Sequence, residues 1–330
     1  MNINEMARKL GVAKSTVSKV MNNRPDVGKG TRERVLKLAG KSHYTPNPIA
    51  RSLVSRKSRT LGIVMHEEQN DAFFAPILRS LTEALREQGY STVFASSAKS
   101  AVKEKDIIGS CLDRLVEGVV LVPCRGSHVR FINAAVRQGM KFVIVDHFIE
   151  GIHAPFVGTD FARGAYLAVR HLLECGHRQI GHLGGPLWAA STGERISGYR
   201  QAYREAGIPV PEKLVVNCDY DEPDARSKFM SLKQGHPEMT AILSAGVPIT
   251  EGALSALSEL ELDVPRDMSL VDFGSATFIP SLDQKAGEMG RTAARLLLSQ
   301  LNGSPVPPKT FIDPELALRN STRRCGKAAA

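Results

Sequence analysis

The sequence predicts an α/β protein in which a small three-helix head precedes a body of doubly wound parallel sheets. In the first 46 residues the apolar side chains recur at helical spacing. From Leu61 onward, short apolar runs alternate with amphipathic stretches of helical length. Repeated β-α-β units of this kind form parallel sheets with helices on both faces.

The length of 330 residues and a hydrophobic content of 42% allow more than one domain core. We expect a head at residues 1–46, a linker with a hinge helix at 47–60 and a body at 61–330. Within the body, the first lobe is expected at about 61–159 plus 284–309. The second lobe is expected at about 160–283 plus 310–323, so the chain crosses three times, near Thr159, Gln284 and Lys309.

Positive charge is concentrated in the first 60 residues, which comprise the head and the linker. Residues 1–60 hold fourteen Lys and Arg and three acidic residues, a net charge of 14 − 3 = +11, whereas the whole chain carries +9. A basic head on a near-neutral body indicates that one end binds a polyanion. The alternative is a solvated basic face without a partner, since basic clusters alone are weak signals.

The head pattern predicts a helix-turn-helix. Asn2 and Glu5 form a capping-box pattern, and Gly11 ends the first helix. A second short helix is expected at Thr16–Met21, and a third near Thr31–Ala39. The third helix is expected to close the core with Val35, Leu36 and Leu38. The second helix would expose hydroxyls and cations suited to bases and phosphates in a major groove: Lys14, Ser15, Thr16, Ser18 and Lys19.

Three stretches carry a family resemblance. They are Met6-Ala-Arg-Lys-Leu-Gly-Val-Ala-Lys-Ser-Thr-Val-Ser-Lys-Val-Met-Asn22, Thr31-Arg-Glu-Arg-Val-Leu36 and Tyr44-Thr-Pro-Asn-Pro-Ile-Ala-Arg-Ser-Leu53. With Thr60-Leu-Gly-Ile-Val64 opening the body, the chain resembles the lactose repressor (LacI/GalR) family of bacterial transcription regulators. The likeness implies a sequence-specific DNA-binding protein, expected to be a repressor, with a periplasmic-binding-protein-like body.

The resemblance also implies a hinge helix at residues 48–55 that folds on DNA, with Leu53 wedged into the minor groove. An ordinary linker leucine is the alternative. Further DNA contacts implied by the likeness are Asn22, Arg24, Tyr44, Asn47, Ala50 and Arg51. The sequence departs from the family at Ala13 and Gly28, where a capping serine is usual.

Strand ends facing a cleft between the lobes predict an effector pocket. The candidates, placed by the resemblance, are Phe73, Phe74, Arg125, Asp146, His147, Asp160, Ser191, Arg195, Tyr220, Asp221 and Gly274. Two structural alternatives remain open: Phe74 as a core residue, and Asp160 as the cap of a helix beginning near Arg163.

The pocket departs from the family at two places. Gly274 occupies the position at which the family has an acid that accepts a hydrogen bond from a ligand hydroxyl. Gly246-Val247 replaces the usual Asn-Asp. Loss of an acceptor carboxylate, with Arg125 and Arg195 kept, favours an anionic effector such as a sugar phosphate or a sugar acid. The alternative is a pocket that no longer binds a small molecule.

A single head buries little surface, so we expect a homodimer on a near-palindromic DNA site. The apolar stripe Ile77, Leu78, Leu81 and Leu85 is a candidate interface, with core packing as the alternative. The C-terminus lacks leucine heptads, so no tetramerising coiled coil is expected. Effector closure of the cleft is expected to control DNA binding allosterically by rotating the first lobes against each other.

Several function classes are excluded by the sequence pattern. The five widely spaced cysteines fit a reduced, cytoplasmic protein and no zinc motif, and no cofactor or metal is expected. No run is long and apolar enough for a membrane helix, and no secretory signal is present. No phosphate loop or G-x-G-x-x-G follows the first strand, which disfavours an enzyme. The remaining alternative is a cytoplasmic sugar-binding protein of the receptor fold.

Overall fold

The computed structural model describes residues 1–21, 24–42, 58–66, 73–114, 116–274 and 281–325. The chain divides into two compact units, Met1–Arg59 and Thr60–Ala330. The first unit contains the head and the linker, and the second unit is the body.

The head contains three helices: α1 (Ile3–Leu10), α2 (Lys14–Met21) and α3 (Lys29–Lys41). The Asn2 side chain accepts hydrogen bonds from the Asn4 and Glu5 amides, each at 3.0 Å, and the Glu5 carboxylate accepts one from the Asn2 amide at 3.1 Å. Gly11 ends α1 with φ of 65°. The predicted capping box and glycine stop are therefore confirmed.

The core of the head is made by Met6, Ala7, Val17, Val20, Val35 and Ala39. The prediction that Leu36 closes this core is wrong, because its side chain is 49% exposed. Val35 and Ala39 are four residues apart and share the inward face of α3, whereas Leu36 is turned about 100° away from Val35. Leu38 packs against the core from its edge.

The first half of the body alternates strand and helix as expected. Its elements are β1 (Thr60–Met65), α4 (Phe74–Glu87), β2 (Ser91–Ser96), α5 (Ala101–Asp113), β3 (Gly118–Leu121), α6 (Val129–Arg137), β4 (Lys141–Val145) and β5 (Phe156–Thr159). All the strand pairings among them are parallel. Strand β3 is buried throughout and β1 nearly so, as in a sheet covered on both faces.

The second half repeats this pattern. Its elements are α7 (Phe161–Glu174), β6 (Ile180–Gly184), α8 (Ala190–Glu205), β7 (Val215–Asn217), α9 (Glu222–Gly235), β8 (Ala241–Ser244), α10 (Val247–Glu259) and β9 (Ser269–Asp272). A single 3-10 turn, Glu212–Leu214, precedes β7. Strand β8 pairs in parallel with β6 and β9, and β6 pairs in parallel with β7.

The last elements join the two sheets: β10 (Ser281–Asp283), α11 (Ala286–Leu301), β11 (Lys309–Ile312) and β12 (Glu315–Ala317). The strand orders are β11-β5-β4-β3-β1-β2 in the first lobe and β12-β10-β9-β8-β6-β7 in the second. The chain therefore crosses between sheets after Thr159, after Asp283 and after Ile312. The third crossing lies beyond the expected Lys309, because β11 first pairs with β5 along its whole length. The α/β fold class is confirmed.

The apolar stripe on α4 belongs to the core of the first lobe. Ile77, Leu81 and Leu85 are fully buried, and Leu78 packs against the same cluster. Helix α11 lies so close that a side chain at Gly290 would overlap the Ile77 carbonyl. The prediction of an interface at this stripe is wrong, and core packing is its role.

Two glycines of α8 provide a test of the packing in the second lobe. A Cβ at Gly198 would overlap the Ala162 carbonyl of α7, whereas a Cβ at the exposed Gly193 meets nothing within 4 Å. We expect Gly198→Ala to lower the free energy of unfolding by about 1–3 kcal/mol through overpacking. Gly193→Ala should leave it unchanged or raise it by up to about 1 kcal/mol. Urea unfolding of both variants measures the difference, and equal midpoints would contradict this description of the α7–α8 contact.

Candidate nucleic-acid interface and effector cavity

Helix α2 separates an inward apolar face from an outward polar one. Val17 and Val20 are buried in the head core. Lys14, Ser15 and Lys19 are exposed, and Thr16 and Ser18 are half-buried. Because residues three and four apart share one side of a helix, the hydroxyls and cations of α2 are presented on the side away from the core.

The two head residues that depart from the family pattern, Ala13 and Gly28, lie directly before helices α2 and α3. Ala13 precedes α2 and offers its backbone carbonyl to the amides of Thr16 and Val17. Gly28 precedes α3 and supplies no side-chain hydrogen bond. Both helices therefore begin without the side-chain cap that a serine provides.

Two of the predicted DNA contacts interact within the head. Lys19 Nζ lies 2.6 Å from Asp26 Oδ2, with both side chains about half exposed, and this hydrogen bond lowers the pKa of Asp26. Exposed ion pairs contribute little to stability, so Lys19 can exchange Asp26 for a phosphate at small cost. Arg24 is exposed, and its carbonyl accepts a hydrogen bond from the Arg32 guanidinium. Asn22, Tyr44, Asn47, Ala50, Arg51 and Leu53 lie outside the described residues.

A cavity of about 730 Å³ lies between the two lobes of the body. Both lobes line it from the carboxyl ends of their strands: His66 follows β1, Asp146 follows β4 and Phe273 follows β9. Open parallel sheets bind ligands at this edge, and the volume is typical of small-molecule sites.

Nine of the eleven predicted effector residues line this cavity. They are Phe73, Phe74, Arg125, Asp146, His147, Ser191, Arg195, Tyr220 and Gly274. Phe74 is 6% exposed and also packs in the core of the first lobe, so the core alternative describes most of its surface.

Asp160 and Asp221 do not line the cavity. The Asp160 carboxylate accepts a hydrogen bond from the Arg163 amide at 2.8 Å, and the Asp221 carboxylate accepts one from the Asp224 amide at 3.2 Å. Both residues are N-caps, of α7 and α9. An aspartate between a strand and a helix satisfies the orphan amides of the helix, which accounts for both positions without a ligand.

Several lining residues were absent from the sequence prediction. They include His66, Lys99, Phe161, Trp188, Asp219, Phe273 and Gln284. The position of His66, directly after β1, is a signal that the strand-end rule could have used. Trp188 carries no such signal, because it lies in the connection between β6 and α8.

Arg195 is held on the second-lobe wall by aromatic rings. Its guanidinium carbon lies 4.1 Å from the Phe161 ring centre and 4.6 Å from that of Phe273, and the residue is 4% exposed. One terminal nitrogen donates to the Tyr220 hydroxyl at 3.4 Å, whereas Nε has no hydrogen-bond partner. Cation–π contacts thus orient the guanidinium and leave N–H capacity for a ligand.

The first-lobe wall contains stacked imidazoles. The His66 and His147 rings lie 4.7 Å apart and nearly parallel. Burial lowers the pKa of His147, and Asp146, whose carboxylate lies 3.2 Å from its Nε2, only partly offsets this effect. His147 is therefore neutral at pH 7 and acts as a planar, weakly polar surface.

A buried carboxylate lies directly behind Gly274. Asp272 is fully buried, and neither carboxylate oxygen has a hydrogen-bond partner. A side chain at Gly274 would overlap that carboxylate. Burial raises the pKa of Asp272 to about 7, against the opposing effects of Thr250 and Arg195. An acid therefore lies two residues before Gly274, buried and outside the lining of the cavity.

Among the described residues, no group of three or more His, Cys, Asp or Glu side chains could hold a metal ion. Within those same ranges, no helix combines the length and the apolar character that crossing a membrane requires.

The buried carboxylate has a measurable effect on stability. Between about pH 4 and 7, folded Asp272 keeps a proton that the unfolded chain releases, so the free energy of unfolding falls as the pH rises. Asp272→Asn removes this dependence. As the pH rises from 4 to 7, the free energy of unfolding of the variant should exceed that of the original chain by a growing amount, up to about 4 kcal/mol. Above pH 7 this difference should stay constant. Burial lowers the pKa of His182 to about 4 in both proteins, so the titration of this residue cancels in the comparison.

Urea unfolding of both proteins at several pH values measures this gain. The exposed Asp113→Asn serves as control and should show no such gain. A stability difference between Asp272→Asn and the original chain that stays constant from pH 4 to 8 would contradict the burial of an ionisable carboxyl.

Comparison with known proteins agrees with this architecture. Residues 2–47 match the family described as bacterial regulatory proteins, lacI family, and residues 169–322 match a periplasmic binding protein-like domain. The transcriptional regulator MalR of Streptomyces coelicolor is 31% identical over 336 residues, with 96% of this chain and 95% of MalR covered.

Two further similarities extend over nearly the whole chain. The transcriptional repressor CytR of Escherichia coli is 30% identical, with 97% of this chain and 95% of CytR covered. A solved complex of the transcriptional regulator CelR with cellobiose is 26% identical with a TM-score of 0.71, covering 97% of this chain and 99% of CelR. The chain belongs to the LacI family of bacterial regulatory proteins.

Proposed function

We propose that this chain is a transcriptional repressor that binds a near-palindromic DNA site as a homodimer and is controlled by a sugar-type effector in the cavity. The outward face of α2, with Lys14, Ser15 and Lys19 exposed, is the observation that carries the DNA-binding part. A helix of this kind fits the major groove, and two heads are needed for specific affinity. DNA binding also assigns the protein to the cytoplasm.

The cavity supports control by a small molecule. It is lined by both lobes, so a bound effector favours the closed arrangement of the body. Hydrogen bonds connect two of the crossings. Thr159 Oγ1 donates to Gln284 Oε1 at 3.1 Å, and Gln284 Nε2 donates to the Phe273 carbonyl at 3.2 Å. A coupling of about 1–3 kcal/mol between cavity and head changes DNA affinity roughly 5- to 150-fold.

The effector class we propose is a sugar phosphate or a sugar acid. Three cations, Lys99, Arg125 and Arg195, line the cavity together with two acids, Asp146 and Asp219. The Arg125 guanidinium of the first lobe lies 5.5 Å from the ring centre of Trp188 in the second lobe. An anionic group bound there would contact both lobes, and the neighbouring Phe73 and Phe74 rings offer apolar faces to a sugar.

Selection of bound DNA from a random pool by the full chain tests the main proposal. A recovered near-palindromic sequence, whose footprint changes when an effector is added, is the expected result. Failure to retain any sequence preferentially at low salt, with and without metabolites, would overturn it.

Lys14→Ala tests the orientation of α2. Loss of one phosphate contact should weaken binding to the selected DNA at all sequences and reduce the slope of log affinity against log salt by about 1. Fluorescence anisotropy at several salt concentrations measures this slope. Lys213→Ala, an exposed lysine of the body, is the control and should leave the slope unchanged. An unaltered slope for Lys14→Ala would argue against the contact.

Arg125→Ala tests the charge of the effector. Titration calorimetry with neutral hexoses, hexose 6-phosphates and hexuronic acids should show a loss of about tenfold or more for the anionic sugars, since a charge-assisted hydrogen bond is removed. Arg130→Ala, an exposed arginine outside the cavity wall, controls for general charge. Tight binding of a neutral sugar alone by the original chain would end the anionic proposal.

A further inference from the structure

We propose that Asp272 is the residue that accepts hydrogen bonds from the effector's hydroxyl groups, with Arg195 donating to the same groups. The proposal rests on a sugar-type effector binding in the cavity. Asp272 lies two residues before Gly274, which is the position at which the family carries its acid.

The geometry of β9 brings this carboxylate to the cavity wall. Asp272 is the last residue of β9, and Gly274 lies in the bend that follows the strand. Gly274 lines the cavity, and the Asp272 carboxylate occupies the space where a side chain at residue 274 would begin. Asp272 is not among the residues that line the cavity, so binding requires its side chain to rotate past Gly274, which has no side chain to block it.

The carboxylate has no partner within the protein to account for its burial. Both oxygens lack a hydrogen bond, although Asp272 is fully buried. The Thr250 hydroxyl is near enough to lower the pKa of Asp272, but it donates its hydrogen to Ser244 Oγ at 2.7 Å. Leaving a buried carboxylate without donors is costly, and groups of this kind concentrate at functional sites.

Arg195 provides the second half of the site. Its Nε is also without a partner, and neither oxygen of Asp272 accepts a hydrogen bond from the Arg195 guanidinium, although both residues are buried. A hydroxyl group can accept from a guanidinium and donate to a carboxylate at once. A pair of neighbouring sugar hydroxyls therefore satisfies both residues, while Arg125 lines the same cavity and can bind an anionic substituent.

Three variants of the full chain test this assignment. Asp272→Asn keeps the shape and removes the charge, and Asp113→Asn is the control because Asp113 is an exposed aspartate outside the cavity wall. The double variant Asp272→Gly with Gly274→Asp returns the acid to the family position. The probes are glucose, glucose 6-phosphate and glucuronate with their galactose counterparts, and single deoxy analogues of whichever binds most tightly.

We expect Asp272→Asn to weaken binding of the tightest sugar of this panel at least tenfold, with Asp113→Asn changing it less than threefold. For one deoxy analogue, the original chain and Asp272→Asn should bind equally, because the hydroxyl that donates to the carboxylate is gone. The double variant should recover at least half of the lost binding free energy. Affinity for the selected DNA without sugar should stay unchanged in all variants, which shows that they fold.

Two outcomes separate the possible failures. If the original chain binds a panel sugar and Asp272→Asn binds it within threefold, the assignment of Asp272 is overturned while the proposed regulator stands. If the original chain binds DNA but no panel sugar, both the sugar effector and the role of Asp272 are overturned.

Discussion

The enclosure of Asp272 and Arg195 beside the cavity is the constraint that sets the chemistry of the candidate site. Asp272 and Arg195 are both enclosed by the second lobe, and each retains at least one polar atom without a hydrogen-bond partner. Parallel pairing of β8 and β9 fixes the carboxylate, and the rings of Phe161 and Phe273 fix the guanidinium. The fold thus keeps polar groups where an apolar residue would give greater stability, as binding sites commonly do.

The head differs from the body because its proposed function requires charged side chains that are exposed rather than buried. Met6, Val17 and Val35 supply a small core that holds three short helices together. The cations and hydroxyls of α2 are left on the surface, where the Lys19–Asp26 pair is solvated and weak. Such a surface gives little stability to the folded chain but can exchange its partners for phosphates readily.

The fold and most of the cavity wall were accessible from the sequence, whereas individual side-chain roles were less so. The strand and helix alternation follows from local periodicity, and the strand-end rule, applied together with the family resemblance, places Asp146 and His147 in the cavity wall. The rule could not separate Asp160 and Asp221 from the cavity residues, because an acid after a strand serves equally as a helix cap. The stripe on α4 is equally compatible with a core and an interface until α11 is placed against it.

The sequence by itself determined what depends on neighbours along the chain: the capping box at Asn2, the glycine stop at Gly11, the basic head and the family to which these patterns belong. Tertiary structure decided what depends on residues distant in sequence. The return of α11 and β11 to the first sheet buries Ile77, and the enclosure of β9 leaves Asp272 beside Gly274. Burial and orientation arise from packing between elements, and no local pattern records which carboxylate will be enclosed.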